Sequence, residues 1–277
     1  MKGLEELALT TTDIASVLPK IIVDQVEEVA RAKRVGRSLV RVNRDLVGAK
    51  GRSLYIPKRG ALTAYSLSEG EDLSSYSTKA TYSTVQITPS KIGLQVKITQ
   101  EAIDGCEFDL IKDHILEAGE AIADKEDKDI ITELLTASTS IDAATTGTLA
   151  FGDIVKARNK VLTAKYNPNA LVIHPDQEAD LLQDDRFIDA SAYGAREPIL
   201  NGEIGKIAGL KVFVTQNMTS GKAIVLDTTR AAVLAIKREL TLKRWDNPST
   251  DSVELNFYME YGVEIVNDDA ICIINNC

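Results

Sequence analysis

Between Arg52 and Lys97 the chain runs for 46 residues without a helical period, and this stretch limits the folds open to it more than any other. Arg52 to Lys58 reads as a strand. Gly60 to Thr84 holds ten Ser or Thr residues and two glycines, and apolar residues then alternate as Val85, Ile87, Ile92, Leu94, Val96 and Ile98. If Arg52 to Lys97 forms one hairpin, each arm of about 20 residues reaches roughly 65 Å at the strand rise. A compact chain of 277 residues has a radius of gyration near ~19 Å. Such an arm overshoots its own domain. A free two-stranded ribbon is only marginally stable in water, so the arm must fold back or lie on another molecule. A neighbouring copy is the natural support.

The rest of the composition permits a substantial core: 44% of residues are apolar, enough for one large domain or two small ones. The net charge of −9, from 41 acids and 32 bases, argues against coating nucleic acid over the whole surface. A local basic stretch remains open. Cys106, Cys272 and Cys277 are odd in number and lack paired short spacing, so neither a disulfide framework nor a zinc cluster is expected, and a reducing compartment fits. Met1 to Thr12 lacks the basic-then-apolar order of a signal peptide, and no run approaches 18 uninterrupted apolar residues. No membrane association is expected.

Pro19 announces a helix over Leu18 to Lys33, with Ile22, Val26 and Val29 at helical spacing. Leu39, Val40, Val42 and Leu46 then alternate partly as a strand does, until Gly48 and Gly51 break the pattern. Glu107 to Ala137 reads as a helix of about 45 Å, with Ile111, Ile115, Ala118 and Ile122 on one stripe, continued after a shift by Ile130, Leu134 and Leu135. Ser138 to Thr148 reads as a linker, with a domain boundary near Thr148. Phe151 to Lys165 is a second helix. Strands are expected at Ala170 to Ile173, Lys211 to Thr215, Ala223 to Leu226, Val253 to Met259, Gly262 to Val266 and Ile271 to Ile274, with a helical stretch carrying Leu181 and Leu182 and a polar loop from Ser191 to Glu197.

Little of this sequence is suited to catalysis. Its two histidines are His114, among acids in the long helix, and His174, followed by Pro175 and Asp176. No Gly-x-Ser-x-Gly elbow supplies a nucleophile, and His174 reads as a strand-end residue capping a turn. Gly202, Gly205 and Gly209 match neither the dinucleotide fingerprint nor a Walker A loop and read as a turn between strands. Asp124, Glu126, Asp127 and Asp129 lack the mid-loop Gly and terminal Glu of a calcium loop and read as a solvated helix face. No catalytic residue, cofactor or metal site is expected.

Charge is unevenly spread. Val29 to Arg59 holds ten bases and one acid, whereas Glu101 to Ser138 holds twelve acids and three bases. The two segments suit mutual attraction, which between subunits would select register and orientation. Two other readings stand: independent solvation, screened beyond about 8 Å at physiological salt, and contact of the basic stretch with nucleic acid.

Several segments occur in a telling order. Glu69-Gly70-Glu71 is followed by Lys91-Ile92-Gly93 and Thr99-Gln100-Glu101, then by Phe108 to Leu135, Phe151-Gly152-Asp153-Ile154, Leu171-Val172-Ile173-His174-Pro175, Asn201-Gly202-Glu203-Ile204-Gly205 and Gly209-Leu210-Lys211-Val212. In this order they resemble the major capsid proteins of tailed double-stranded DNA phages and related archaeal viruses. The resemblance implies an α+β Hong Kong 97-like capsid fold: an N-terminal arm over residues 1–47, an extended β-hairpin loop over 48–98, a peripheral domain with a long spine helix over 99–148, an axial domain over 149–234, and return strands of the peripheral domain over 235–277.

The implied role is that of a shell subunit assembling with itself through pentamers and hexamers into an icosahedral virion capsid around double-stranded DNA. Candidate inter-subunit contacts are Arg37, Arg41, Arg52, Lys58 and Arg59 on the basic side and Glu69, Glu71 and Asp72 on the acidic side. Many relatives carry an acidic scaffolding segment ahead of the arm. Here Pro19 already opens the arm helix, so the resemblance implies either a separate scaffolding protein or an earlier cleavage. A portal and a decoration protein are further implied partners, contacts with packaged DNA would be non-specific, assembly would take place in the host cytoplasm, and no covalent Lys–Asn cross-link is expected. Two rival readings remain: the shell of a cellular protein nanocompartment of the same fold, and a soluble α+β hydrolase using His174 with Asp176.

Overall fold

The computed structural model describes residues 35–60, 62–72, 74, 81–105, 110–183 and 206–277. The helix expected over Leu18 to Lys33, the loop from Ser191 to Glu197, and Gly202 and Gly205 lie outside these residues. In chain order the first elements are α1 (Gly36–Leu39), β1 (Arg41–Asn43), β2 (Leu54–Arg59), β3 (Tyr82–Ile87), β4 (Ser90–Thr99), α2 (Gln100–Gly105), α3 (Leu110–Leu134) and β5 (Ser140–Asp142). They are followed by α4 (Phe151–Thr163), β6 (Ala170–Ile173), α5 (Pro175–Gln183), β7 (Lys206–Ile207), β8 (Leu210–Val214), β9 (Lys222–Leu226), β10 (Ala232–Asn247), β11 (Ser252–Ile265) and β12 (Ile271–Asn275).

These strands form three sheets: four strands in the order β1-β10-β11-β4, six in the order β5-β12-β9-β6-β8-β7, and the two-stranded ribbon β2-β3. The six-stranded sheet separates two cores by alternation. Ala170 and Val172 of β6, Ile224 and Leu226 of β9, and Ile271 and Ile273 of β12 join one core, which also holds Ile115, Ala118, Ile122, Ile130 and Leu134 of α3 and Leu234, Leu255 and Phe257 of the four-stranded sheet. Their sequence neighbours Leu171, Ile173, Val225, Cys272 and Ile274 face the other core, under Ile154, Ala157 and Val161 of α4. Burial on both faces explains why β6 reads as a continuous apolar run. A small third cluster of Leu46, Ile87, Val233 and Ala235 roots the ribbon on β10, with Leu54 and Ile56 packed against it.

The hairpin differs from its expected form. Pairing in the ribbon spans Leu54↔Ile87 to Arg59↔Tyr82, about 20 Å of strand, and β4 does not continue it. Pro89, which has no N–H to donate, follows β3. Beyond it β4 pairs along its whole length with β11, from Ser90↔Tyr261 to Thr99↔Ser252. The cause is the alternation itself: Ile92, Leu94 and Val96 need an apolar surface, which α3 and the four-stranded sheet provide and a solvated ribbon does not.

Other elements also depart from expectation. Leu39 closes the single helical turn α1 before the strand β1. The linker after α3 contains β5, which pairs in parallel with β12. The two strands expected between Val253 and Val266 are one strand, β11. At Gly209 the expected turn between strands is present: Ala208 and Gly209, at φ 50° and 82°, join the Ile207↔Leu210 pair of a hairpin.

Candidate assembly surfaces

The acidic half of α3 is not a solvated face as its composition suggested. Glu126 is completely buried and Asp127 nearly so, because the backbone around α1 docks on them. Asp127 accepts hydrogen bonds from the Val35 N–H (2.7 Å) and the Gly36 N–H (2.9 Å), whose positive ends at the start of a helical turn suit a carboxylate. Glu126 takes a forked donation from the Arg37 Nε (2.5 Å) and Nη2 (3.1 Å). A Cβ at Gly36 would stand 2.7 Å from Asp127 Oδ1, so this approach requires glycine. Asp124 and Asp129 are engaged as well. Asp124 accepts from Asn217 Nδ2 (2.7 Å), and Asp129 from Lys125 Nζ (2.5 Å) and the Tyr261 hydroxyl (2.8 Å).

The attraction between the basic and acidic segments is therefore made partly within one chain, through Arg37. The structure does not bring the other candidate bases there. Arg41, Arg52 and Arg59 are exposed and Lys58 is half-buried, and among the described residues none of the four has an acidic partner. The acidic candidates sit at an exposed turn of the long loop. There Glu71 accepts from the Ser68 N–H (2.8 Å) and Gly70 has φ +82°. The Ser74 hydroxyl, and then its N–H, hold the Asp72 carboxyl below the usual carboxylate range.

Exposed apolar side chains gather on the same segment. Tyr55 (62% exposed) and Tyr82 (69%) stand on the ribbon, and Leu62, Tyr65 and Leu67 on the loop beyond it. On β2 the exposed residues alternate as Tyr55, Pro57 and Arg59, opposite Gln86, Thr84 and Tyr82 of β3. One face of the ribbon thus offers two tyrosines and an arginine, residue types enriched in the cores of protein interfaces. The tyrosines carried no weight in the sequence, where alternation over six residues does not show that one face lacks cover.

Around His174 the geometry is that of a helix start. Its Nδ1 accepts from the Asp176 N–H (3.2 Å) and its carbonyl from the Glu178 N–H (3.2 Å) as α5 begins. Ser220, not foreseen from the sequence, directs its hydroxyl to Asp176 Oδ2 (2.7 Å), and that same oxygen lies 3.0 Å from His174 Nδ1. A histidine-activated serine needs the hydroxyl on the imidazole, which this arrangement does not provide. Cys272 and Cys277 are buried free thiols. Burial pushes both up, Cys277 to about 11, so neither is a thiolate nucleophile near neutral pH. Among the described residues no cluster of three or more His, Cys, Asp or Glu side chains is placed to hold a metal ion, and no helix is long and apolar enough to cross a membrane.

Several solved structures share this fold. One from Mycobacterium phage Che8 matches with a TM-score of 0.74 at 16% identity over 88% of this chain and 92% of the other. The capsid structure of cyanophage P-SCSP1u matches with a TM-score of 0.73 at 15% identity over 87% and 88%. A virus-like particle from Pyrococcus furiosus matches with a TM-score of 0.66 at 16% identity over 93% and 99%. No curated protein sequence matches the chain. The family model described as phage capsid protein matches residues 81–274, which hold β4, β10 and β11 of the four-stranded sheet, α3 and nearly all of the six-stranded sheet; the chain belongs to the phage capsid protein family.

Proposed function

We propose that this structural major capsid protein closes with itself, through pentamers and hexamers, into an icosahedral head enclosing double-stranded DNA. The observation that carries the reading is the ribbon: a two-stranded sheet with exposed Tyr55 and Tyr82 and with bases that lack acidic partners among the described residues. A second subunit supplies what a free ribbon lacks. Each subunit would then hold several neighbours at once, so modest pair affinities combine into a stable closed shell while single misplaced contacts still dissociate.

On this reading residues 1–47 act as an arm and the ribbon with the loop between its strands as the extended loop, while the four-stranded sheet with α3 forms the peripheral domain and the six-stranded sheet with α4 the axial domain, so the bounds shift: β4 joins the peripheral sheet, and β5 and β12 join the axial one. Arg41, Arg52, Lys58, Arg59, Glu69, Glu71 and Asp72 then face neighbouring subunits, and Arg37 fixes the arm to its own spine helix before any neighbour arrives. A scaffolding protein, a portal and a decoration protein are the further partners, assembly takes place in the host cytoplasm, and contact with packaged DNA is non-specific. The likeness to a virus-like particle keeps a second reading in view, a nanocompartment shell of the same fold.

Light scattering and negative-stain imaging of the purified chain test the proposal. Closed shells or megadalton rings carry it, and a monomer near 30.1 kDa at every salt and protein concentration overturns it. Particles purified from the native host separate the two contents: nucleic acid marks a virus, a single enclosed enzyme a compartment.

A further inference from the structure

Among the described residues the chain passes between the two large sheets at three places: from α3 into β5, from β9 into β10, and from β11 into β12. The three crossings are bonded to one another. The Ala231 carbonyl accepts from the Val266 N–H (2.9 Å) and the Asn267 N–H (3.1 Å), and the Arg230 carbonyl accepts from Asn267 Nδ2 (2.7 Å). The Asp268 carboxylate accepts from the Ser138 N–H (3.0 Å) and hydroxyl, and the Ala270 carbonyl from the Asp227 N–H (3.0 Å). These bonds form a seam of backbone and short polar side chains between the sheets.

Where two of the crossings leave, each carries a carboxyl. Glu133 lies in the last turn of α3 and Glu264 is the penultimate residue of β11. Both are half-buried, they face each other within hydrogen-bond reach, and the Ile265 N–H donates to Glu133. The other charged groups around them are engaged elsewhere. On α3 itself, Asp129 is held by Lys125 and the Tyr261 hydroxyl. Asp227 accepts from the Asn167 N–H and from Thr229, Asp268 accepts from Ser138, and Arg230 and Asp269 act on Tyr166. Among the described residues no base acts on Glu133. We propose that the Glu133–Glu264 pair is a proton-operated catch on this seam: sharing one proton it ties the end of α3 to the end of β11, and losing that proton it sets two carboxylates against each other and loosens the crossings. The proton belongs to the pair, since two carboxylates in contact cannot both charge freely. Burial and then Glu264 push Glu133 above its ordinary value of 4.5, so the tie survives above that value and is lost as the pH rises through the higher folded value.

The catch belongs to a single subunit and works whether or not copies assemble. Hydrogen exchange of the full chain tests it, read by mass spectrometry between about pH 5 and about pH 8 and corrected for the intrinsic pH dependence of amide exchange. In the wild type, exchange at Ile265, Val266 and Asn267 should rise severalfold across this range, while Leu171 to Ile173 in β6 hold steady. Glu133→Gln and, separately, Glu264→Gln leave an amide that donates to the remaining carboxylate, so each should keep acid-level protection at the upper pH. A wild-type seam that exchanges equally at both ends of the range overturns the inference, and so does a rise that both Gln variants retain. A rise shared by β6 also overturns it, because it assigns the effect to the whole fold. The wild-type comparison decides by itself if either variant fails to fold.

Discussion

Arg37 shows how far single residues could be read in advance. The sequence marked it as one base among ten and marked Glu126 as one acid among twelve, but it did not show that the two meet inside the same chain, with the carboxylate fully buried. Charge counts carry no information on which face of a helix is covered, and the covering segment lies about ninety residues away. Arg37→Ala should cost about 3 kcal/mol in urea unfolding, because it strands a buried carboxylate. Arg37→Lys should recover only part of this, since an ammonium cannot reproduce the fork.

Glu133, in the last turn of α3, offers a second test at this scale. Burial first, then the facing Glu264 carboxylate, push its carboxyl above the ordinary value of 4.5, and a helix C-terminus adds unfavourable negative potential. The folded state therefore holds this proton more tightly than the unfolded one. That contribution is fully present below about 4.5 and is lost as the pH rises through the higher folded value. Glu133→Gln should raise the melting temperature at pH 7 and flatten its dependence across the weakly acidic range, as calorimetry at several pH values would show.

At the scale of elements, legibility followed burial. Strand β6 was visible as Ala170 to Ile173 because both its faces are covered, and α4 was visible through Ile154, Val155, Val161 and Leu162 because a single stripe repeats. Strand β10 was not foreseen as one element. Its outer half carries Lys243, Arg244, Trp245 and Asp246 in solvent, and two register irregularities between Ile236 and Thr241 interrupt the alternation. The hairpin was drawn too long for a related reason: alternation continues through Val85, Ile87 and Ile92, while the switch of partner at Pro89 leaves no periodic trace. Phe257 of β11 is enclosed by α3 and the four-stranded sheet, so Phe257→Ala should cost about 3–5 kcal/mol of stability, readable as a lower urea midpoint with an unchanged slope.

For the molecule as a whole, folding and assembly should separate. Replacing Leu62 to Asp72, exposed throughout, by a short Gly-Ser link removes none of the residues that pack in the cores. The shortened chain should melt within a few degrees of the parent and should fail to form particles in light scattering. Fold class was readable from the whole sequence because order and spacing survive where no single motif is diagnostic. The candidate contact surface was readable only as a region, since which tyrosine lacks cover depends on the sheet around it.

Strands β1, β4 and β5 arise early in the chain, yet β1 pairs with β10, β4 with β11 and β5 with β12. Each must wait for a partner between Ala232 and Asn275. During translation β10 and β11 complete the four-stranded sheet, and β12 the six-stranded one, only once the segment from Ala232 to Asn275 has been made. A nascent chain therefore has its ribbon strands in hand before the two large sheets that support them can close. Topology alone thus sets the order in which the chain can close: ribbon strands first, both large sheets last.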